Sequence, residues 1–253
     1  MANVGTEVIH IVEPYAEIAY SGKALGNVDW SRFGDPDVSA ENRQRLLDVL
    51  NPTKYVLQIV QMKPEFTDLS AMSDEELEET YLTDGLFIDR PGIALGLNPA
   101  DCNAITMYDA ARGSILGLIH GGRQGIEGQI HLAALEKLTD TGVDKEDVRV
   151  HFAPSVRKES YYYPEQEMSA EQLADPRWRK FLELREGNYH IDLLGRTIQE
   201  LTDAGIEPDQ MQVSPIDVGA DSGYFSHVRR SRTGEENGRN GVAAMLRVSE
   251  LSE

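Results

Sequence analysis

Two short segments carry the residue types best suited to covalent or metal chemistry. Asn98–Cys102 (NPADC) ends on the only cysteine of the chain, and His120–Arg123 (HGGR) begins on a histidine. Antiparallel pairing of the strands predicted after Cys102 and before His120, through a turn at Asp109–Gly113, would bring the thiol and the imidazole together. A thiolate beside an imidazole can act as a nucleophile or bind a metal ion. The alternative is inert packing, because free cysteines are among the most buried residues.

Glycines and arginines form two candidate anion sites. Gly121, Gly122 and Gly125 precede a predicted helix whose N-terminal N–H groups could bind phosphate, although a tight turn needs the same glycines. The segment 225–239 holds five basic or imidazole side chains against two acids. The five are His227, Arg229, Arg230, Arg232 and Arg239. This pattern favours a small anion such as phosphate or carboxylate, or else a solvated face.

Strand and helix patterns alternate around these segments. A buried strand is predicted at Tyr55–Gln61. Further strands are predicted at Ile93–Leu97, Ala104–Tyr108, Ser114–Ile119, Val148–Phe152, Met211–Val213 and Val242–Val248. Helices are predicted from an N-cap at Ser39 to Leu50, over 126–138, over 169–185 with a break at Asp175-Pro176, and over Ile191–Ala204. A further acidic helical stretch is expected within residues 69–83. The mixture predicts an α/β or α+β fold.

Composition excludes several classes of protein. The 253 residues, 40% hydrophobic and 26% charged, can bury a core without disulfide or metal support. A formal net charge of −19 argues against nucleic-acid binding. Because one cysteine cannot form an internal disulfide and no apolar run would insert into a membrane, we expect a cytoplasmic protein without a leader or membrane partner.

Taken in order, several segments resemble the family known as polyphenol oxidase or multicopper laccase-like, which is associated with purine nucleoside phosphorylase activity. The resemblance covers roughly residues 17 to 248 and is more specific as an ordered set than in any single piece. The segments that carry the resemblance are Asp84-Gly85, Asp89–Leu95, Ala100–Cys102, His120–Gly122, Asp192–Ile206, Phe225–Arg230 and Gly238-Arg239.

This resemblance implies a fold, a metal site and a reaction. The fold is a single α/β domain spanning 1–253, with mixed β-sheets and flanking helices. One cysteine and two histidines would bind zinc or copper, and the ligands carried over are Cys102 and His120. The third position falls at Val60, which cannot bind a metal, so a centre of the family type should not form from these residues alone. His151 or His227 is the candidate substitute.

Other positions of the family pattern differ as well. Arg123 stands where the family has tryptophan, and Gln124 where it has arginine. Gly219-Ala220 replaces a Cys-Thr pair.

The leading hypothesis is an enzyme that phosphorolyses purine nucleosides, with an adenosine deaminase-type activity, as a monomer or small homo-oligomer. Cys102 and His120 would be its catalytic residues. The candidate substrate or phosphate binders are Arg123, Ser226, Arg229 and Arg230. A second hypothesis is a relative that has lost catalysis and serves as a small-molecule binding or regulatory protein. Copper-dependent phenol oxidation is a third, but six scattered histidines are too few for several copper sites.

Overall fold

The computed structural model describes residues 7–29 and 33–247. The strands, in chain order, are β1 Val8–Val12, β2 Ala16–Ser21, β3 Lys54–Ile59, β4 Thr67–Asp68, β5 Thr80–Leu82, β6 Gly85–Ile88, β7 Ile93–Leu97, β8 Asn103–Asp109, β9 Leu116–Gly121, β10 Val148–Phe152, β11 Tyr162–Pro164, β12 Leu182–Arg185, β13 Asn188–Ile191, β14 Met211–Val213 and β15 Val242–Leu246. The α-helices are α1 Pro36–Asp48, α2 Arg123–Glu127, α3 Ile130–Asp140, α4 Ala170–Ala174, α5 Leu193–Asp203 and α6 His227–Thr233.

Most strands belong to two six-stranded mixed sheets. The first sheet has the strand order β1-β2-β15-β7-β3-β5, and the second has the order β14-β10-β8-β9-β6-β4. Strands β11, β13 and β12 form a small antiparallel sheet outside these two. Parallel and antiparallel neighbours occur in both large sheets, as in β3 with β7 and in β8 with β9.

Three hydrophobic clusters arrange these elements into layers. Strand residues such as Ile18 and Leu118 pack between the two large sheets. On its other face the second sheet packs against α2, α3 and α5, as in the cluster of Ile105 and Leu138. Helix α1 covers the outer face of the first sheet through Leu46. The fold is therefore mixed α/β with mixed sheets and flanking helices, because each sheet buries apolar side chains on both faces.

Two helices predicted in the N-terminal half of the chain differ from the observed structure. Helix α1 begins at Pro36 rather than after Ser39, because the Asp35 carboxylate accepts the backbone N–H of Asp37 and caps the first turn. The acidic stretch within residues 69–83 forms turns followed by β5 instead of a helix, since Leu57 and Ile59 pair in parallel with β5.

Two other predicted helices are also wrong in part. The apolar pattern over 126–138 is divided between α2 and α3, because Gln129 adopts a left-handed backbone conformation with φ of 61°. Within 169–185 only α4 is helical, and β12 forms instead because it pairs with β13.

The remaining elements lie close to their predicted positions. Strands β7, β8, β10 and β14 overlap the predicted segments almost fully, and α5 begins two residues after the predicted start. Val248, the predicted end of β15, lies outside the described residues. In the described part of the chain no helix has the length and apolar character needed to cross a membrane.

Candidate active site

The hairpin of β8 and β9 positions the cysteine and the histidine. Asn103 pairs with Gly121 and Ala104 with His120, so Cys102, one residue before β8, lies beside the end of β9. His120 is buried with 4% of its surface exposed, whereas Cys102 is only partly buried. The hairpin therefore leaves the thiol at the surface side of a buried imidazole.

Gly122 marks the point where the two side chains converge. A Cβ atom placed on Gly122 would lie 3.3 Å from Cys102 Sγ and 3.4 Å from His120 Nε2. The same atom would lie 2.8 Å from His120 Cε1, closer than real side chains approach. Glycine is required here for space and not for backbone conformation, because its φ of −74° suits any residue.

Asp84 completes the arrangement from the opposite side of the imidazole. Its Oδ1 lies 3.6 Å from His120 Nδ1, an ion-pair distance, and its side chain is 1% exposed. The carboxylate also accepts the backbone N–H groups of Gln61, Met62 and Lys63. Three backbone donors fix the carboxylate, so Asp84 can hold the ring of His120 in one orientation.

The charge state of His120 follows from these neighbours. Burial disfavours the imidazolium, but the adjacent Cys102 and Asp84 outweigh burial and raise the pKa of His120 to about 9. Asp84 was not among the residues that the motifs singled out for chemistry. The sequence signal that includes it is the Asp84-Gly85 segment of the family resemblance, and pairing of β6 with β9 brings Asp84 to His120.

Asp101 connects the cysteine segment to α6. Its carboxylate accepts the Ser226 hydroxyl at 2.6 Å and the backbone N–H of Val228 at 2.9 Å. Burial raises the pKa of Asp101 against these hydrogen bonds. The Ser226 hydroxyl also accepts the N–H of Arg229 and so caps α6. Ser226 therefore positions α6, and its single hydroxyl proton is already donated to Asp101.

The candidate phosphate-binding arginines differ in their surroundings. Arg229 is held within the protein, since its guanidinium donates to Glu235 at 2.8 Å and to the carbonyls of Val218, Asp221 and Tyr224. Nothing in this geometry supports a phosphate-binding role for Arg229.

Among the candidate phosphate-binding arginines, Arg123 and Arg230 form no ion pair within the described residues. The guanidinium of Arg123 lies 5.5 Å from the centre of the Tyr163 ring. Burial, and then the charges of Tyr163 and Cys102, raise the pKa of Tyr161, while Arg123 lowers it. Tyr161, Tyr163 and Arg123 form one group, with the Tyr161 and Tyr163 rings 5.4 Å apart between their centres. The Nε of Arg230 is buried and has no hydrogen-bond partner among the described residues.

The residues present do not fit the three-ligand metal centre that the family implies. Val60 packs against the core between the sheets. Of the candidate substitutes, His151 lies elsewhere and stacks on Tyr20 at 6.0 Å between ring centres. His227 is exposed at the start of α6, whose first turn binds the Asp101 carboxylate next to Cys102. Residues 7–29 and 33–247 contain no group of three His, Cys, Asp or Glu side chains placed to bind a metal ion.

Comparisons with known proteins place the chain in a family. The sequence model of the family described as multi-copper polyphenol oxidoreductase laccase matches residues 19–247. A Mycobacterium bovis protein named purine nucleoside phosphorylase is 30% identical over 203 residues, which cover 79% of this chain and 78% of that protein. A protein named adenosine deaminase RL5, from an unknown prokaryotic organism, is 26% identical over 135 residues, or 53% of this chain and 51% of its own length.

A solved structure agrees with this assignment at the level of the fold. The Bacillus licheniformis protein YfiH superposes with a TM-score of 0.75 at 22% identity, covering 92% of this chain and 93% of its own. The protein therefore belongs to the multi-copper polyphenol oxidoreductase laccase family. Several relatives of this chain carry the name purine nucleoside phosphorylase.

Proposed function

We propose that this protein is an enzyme that phosphorolyses purine nucleosides at the site formed by Cys102, His120 and Asp84. The observation that carries the proposal is the convergence of Cys102 Sγ and His120 Nε2 on Gly122, with Asp84 on the far side of the ring. The names of the relatives supply the substrate class. An inert packing cysteine would need neither a buried charged imidazole nor a glycine that leaves space beside it.

The chain's own residues can supply proton transfer. In phosphorolysis a phosphate oxygen forms a bond to the anomeric carbon of the sugar while the bond from that carbon to the purine nitrogen breaks. The imidazolium of His120 donates its proton to the departing purine and recovers a proton from the hydrogen phosphate, so the reaction balances. Because the pKa of His120 is about 9, the ring carries this proton at neutral pH.

The other site residues hold and orient the reactants. Asp84 fixes the imidazole through Nδ1, which leaves Nε2 directed towards the thiol and the substrate. Arg123, beside Tyr163, is the cation best placed to attract phosphate. Since two ligands do not hold a catalytic zinc ion, no step of this mechanism passes through a metal.

The test is incubation of the purified protein with inosine or adenosine and inorganic phosphate, measuring free purine base. We expect His120→Ala to lower the rate by at least about 100-fold, the effect of removing a proton-transfer group. Cys102→Ala should also lower the rate, because it removes a neighbour that raises the pKa of His120 and keeps the ring protonated. His10→Gln, at an exposed histidine paired with Glu17, is the matched control and should leave the rate unchanged. Ammonia release from adenosine, followed in the same samples, tests the deaminase activity.

A second function is favoured by one observation, the valine at position 60. A relative that lost its metal ligand and its activity would keep the fold and bind a small molecule without turnover. Absence of base and ammonia release across a nucleoside panel, with nucleoside binding retained in calorimetry, would establish this second function and overturn the first. Metal analysis of the same preparation tests zinc and copper directly.

A further inference from the structure

A cleft lies between the edges of the two large sheets, far from the Cys102 site. Its volume is about 540 Å³, and it is lined by the β1–β2 turn, the end of β8, β10 and the start of β14. Tyr108 reaches it from the C-terminal end of β8, six positions beyond Cys102. At about 3.3 Å per residue, the two sites are separated by roughly 20 Å along one strand. The cleft has the size of an ordinary small-molecule site.

Opposite charges face this cleft without neutralising each other. Glu13 lies on the turn between β1 and β2, Arg149 lies on β10, and both line the cleft. Both act on the hydroxyl of Tyr108: burial and the charge of Glu13 raise the pKa of Tyr108, and Arg149 lowers it. Glu13 and Arg149 nevertheless form no ion pair with each other. Both charges therefore act on one hydroxyl, and all three residues line the same cleft.

Glu13 and Arg149 also have side-chain atoms without a hydrogen-bond partner among the described residues. Arg149 Nη1 donates to the carbonyls of Glu146 at 2.8 Å and Val148 at 3.0 Å, and its other nitrogens have no hydrogen-bond partner among the described residues. The carboxylate of Glu13 has no partner within that same part of the chain. Asp209 adds a second carboxylate to the lining. An ammonium group is therefore favoured beside Glu13 and a carboxylate beside Arg149.

The remaining wall is aromatic, apolar or neutral. Tyr15, Ile18 and Met211 contribute apolar surface beside the ring of Tyr108. Burial lowers the pKa of His151 to about 4, so this lining residue is uncharged at neutral pH. Such a wall suits a bulky apolar side chain that extends away from the two charged groups.

We propose that this cleft binds a zwitterionic amino acid with a large apolar or aromatic side chain, its carboxylate on Arg149 and its ammonium facing Glu13. The proposal does not depend on the function proposed for the Cys102 site. Its basis is the pair of unneutralised opposite charges across a cleft with apolar walls.

The test uses three probes of one shape: L-phenylalanine, phenethylamine, which lacks the carboxylate, and 3-phenylpropionate, which lacks the ammonium. Calorimetry or ligand-observed NMR on the full chain should give L-phenylalanine the tightest binding, with each single-charge probe about tenfold weaker. Arg149→Met should weaken L-phenylalanine about tenfold and leave phenethylamine unchanged. Glu13→Gln should weaken the binding of L-phenylalanine and phenethylamine, which carry the ammonium group. It should leave the binding of 3-phenylpropionate unchanged.

Matched controls are Arg179→Met and Glu186→Gln, at exposed positions that do not line the cleft. Both should bind all three probes as the unaltered protein does. The proposal is overturned if L-phenylalanine fails to bind at about 10 mM, where even millimolar sites fill. It is equally overturned if the three probes bind alike, or if the two cleft variants and the two controls give the same affinities. Binding that is lost in Cys102→Ala but kept in Arg149→Met would assign the probe to the other site.

Discussion

Two buried histidines of the second sheet, His120 on β9 and His151 on β10, differ in what surrounds them. They are 4% and 3% exposed, so water reaches them equally little. The pKa of His120 is raised to about 9 because Cys102 and Asp84 outweigh burial, whereas burial lowers the pKa of His151 to about 4 beside a neutral Gln212. Burial alone therefore does not set the charge of a histidine. A fixed anionic neighbour sets the charge of His120. The presence of that neighbour distinguishes the proposed catalytic site from the neutral surroundings of His151.

The largest expected effect comes from removing the anion that holds His120. Asp84→Asn should lower the rate of phosphorolysis about 100-fold, because the imidazolium loses its charged partner and its orientation. The pH above which the rate falls should also move to lower values, since the pKa of His120 drops without the carboxylate. Rates measured between pH 6 and pH 10 provide both quantities.

The matched control for Asp84→Asn is Asp89→Asn, at an exposed acid with no ion pair among the described residues. It should leave the rate and its pH dependence unchanged. A rate loss in Asp84→Asn with an unaltered pH profile would mean that Asp84 acts only on folding, through the loop of Gln61 and Lys63 that it anchors.

The second effect is on stability at high pH. A histidine with a raised pKa stabilises the folded state fully below its ordinary value of about 6.5, and this contribution is lost as the pH rises through about 9. Denaturant unfolding should therefore show His120→Gln destabilised by about 2 kcal/mol more at pH 6 than at pH 10. His10→Gln is the control, and an equal penalty for His120→Gln at both pH values would contradict the charged state assigned to His120.

His151 should show the opposite dependence, with a smaller effect of about 1 to 2 kcal/mol. Below pH 6.5 the unfolded chain binds a proton that the native imidazole does not accept until about pH 4, so stability falls across this interval. His151→Gln removes that proton uptake, and its unfolding free energy should decline less between pH 7 and pH 4 than that of the unaltered protein. Parallel curves for the two proteins would show that His151 is protonated in the folded state.

Local patterns in the sequence predicted the approach of Cys102 to His120 but did not predict the approach of Asp84. Strands β8 and β9 are short apolar runs joined by a turn, so the approach of Cys102 to His120 followed from neighbouring elements. Asp84 lies 36 positions before His120, and only the pairing of Gly85 with Ile119 joins them. No local pattern predicts which distant strand will pair, so Asp84, quoted only as part of the family resemblance, was not predicted to lie beside His120.

The errors in the predicted elements have the same origin. Residues 182–185 have helical composition, but their backbone groups pair with β13 and tertiary contact overrides propensity. The break between α2 and α3 follows from Gly128 and Gln129, whose apolar neighbours alone indicated one continuous helix. The family resemblance, which rests on motifs distributed along the whole chain, identified the fold where local patterns left α/β and α+β open.

The smallest expected effects come from two glycine substitutions. One fills space in the site and the other affects only the stability of the fold. Gly122→Ala places a methyl group 2.8 Å from His120 Cε1, so the imidazole must move, and we expect phosphorolysis to fall about tenfold, or 1.4 kcal/mol. Gly142→Ala is the counterpart: its φ of 88° disfavours alanine, while its surroundings are empty within 4 Å. It should lower the unfolding free energy by about 1 kcal/mol without changing the rate. If Gly122→Ala keeps full activity, the convergence of thiol and imidazole on this point is not the catalytic geometry, and the distinction drawn between His120 and His151 applies to stability alone.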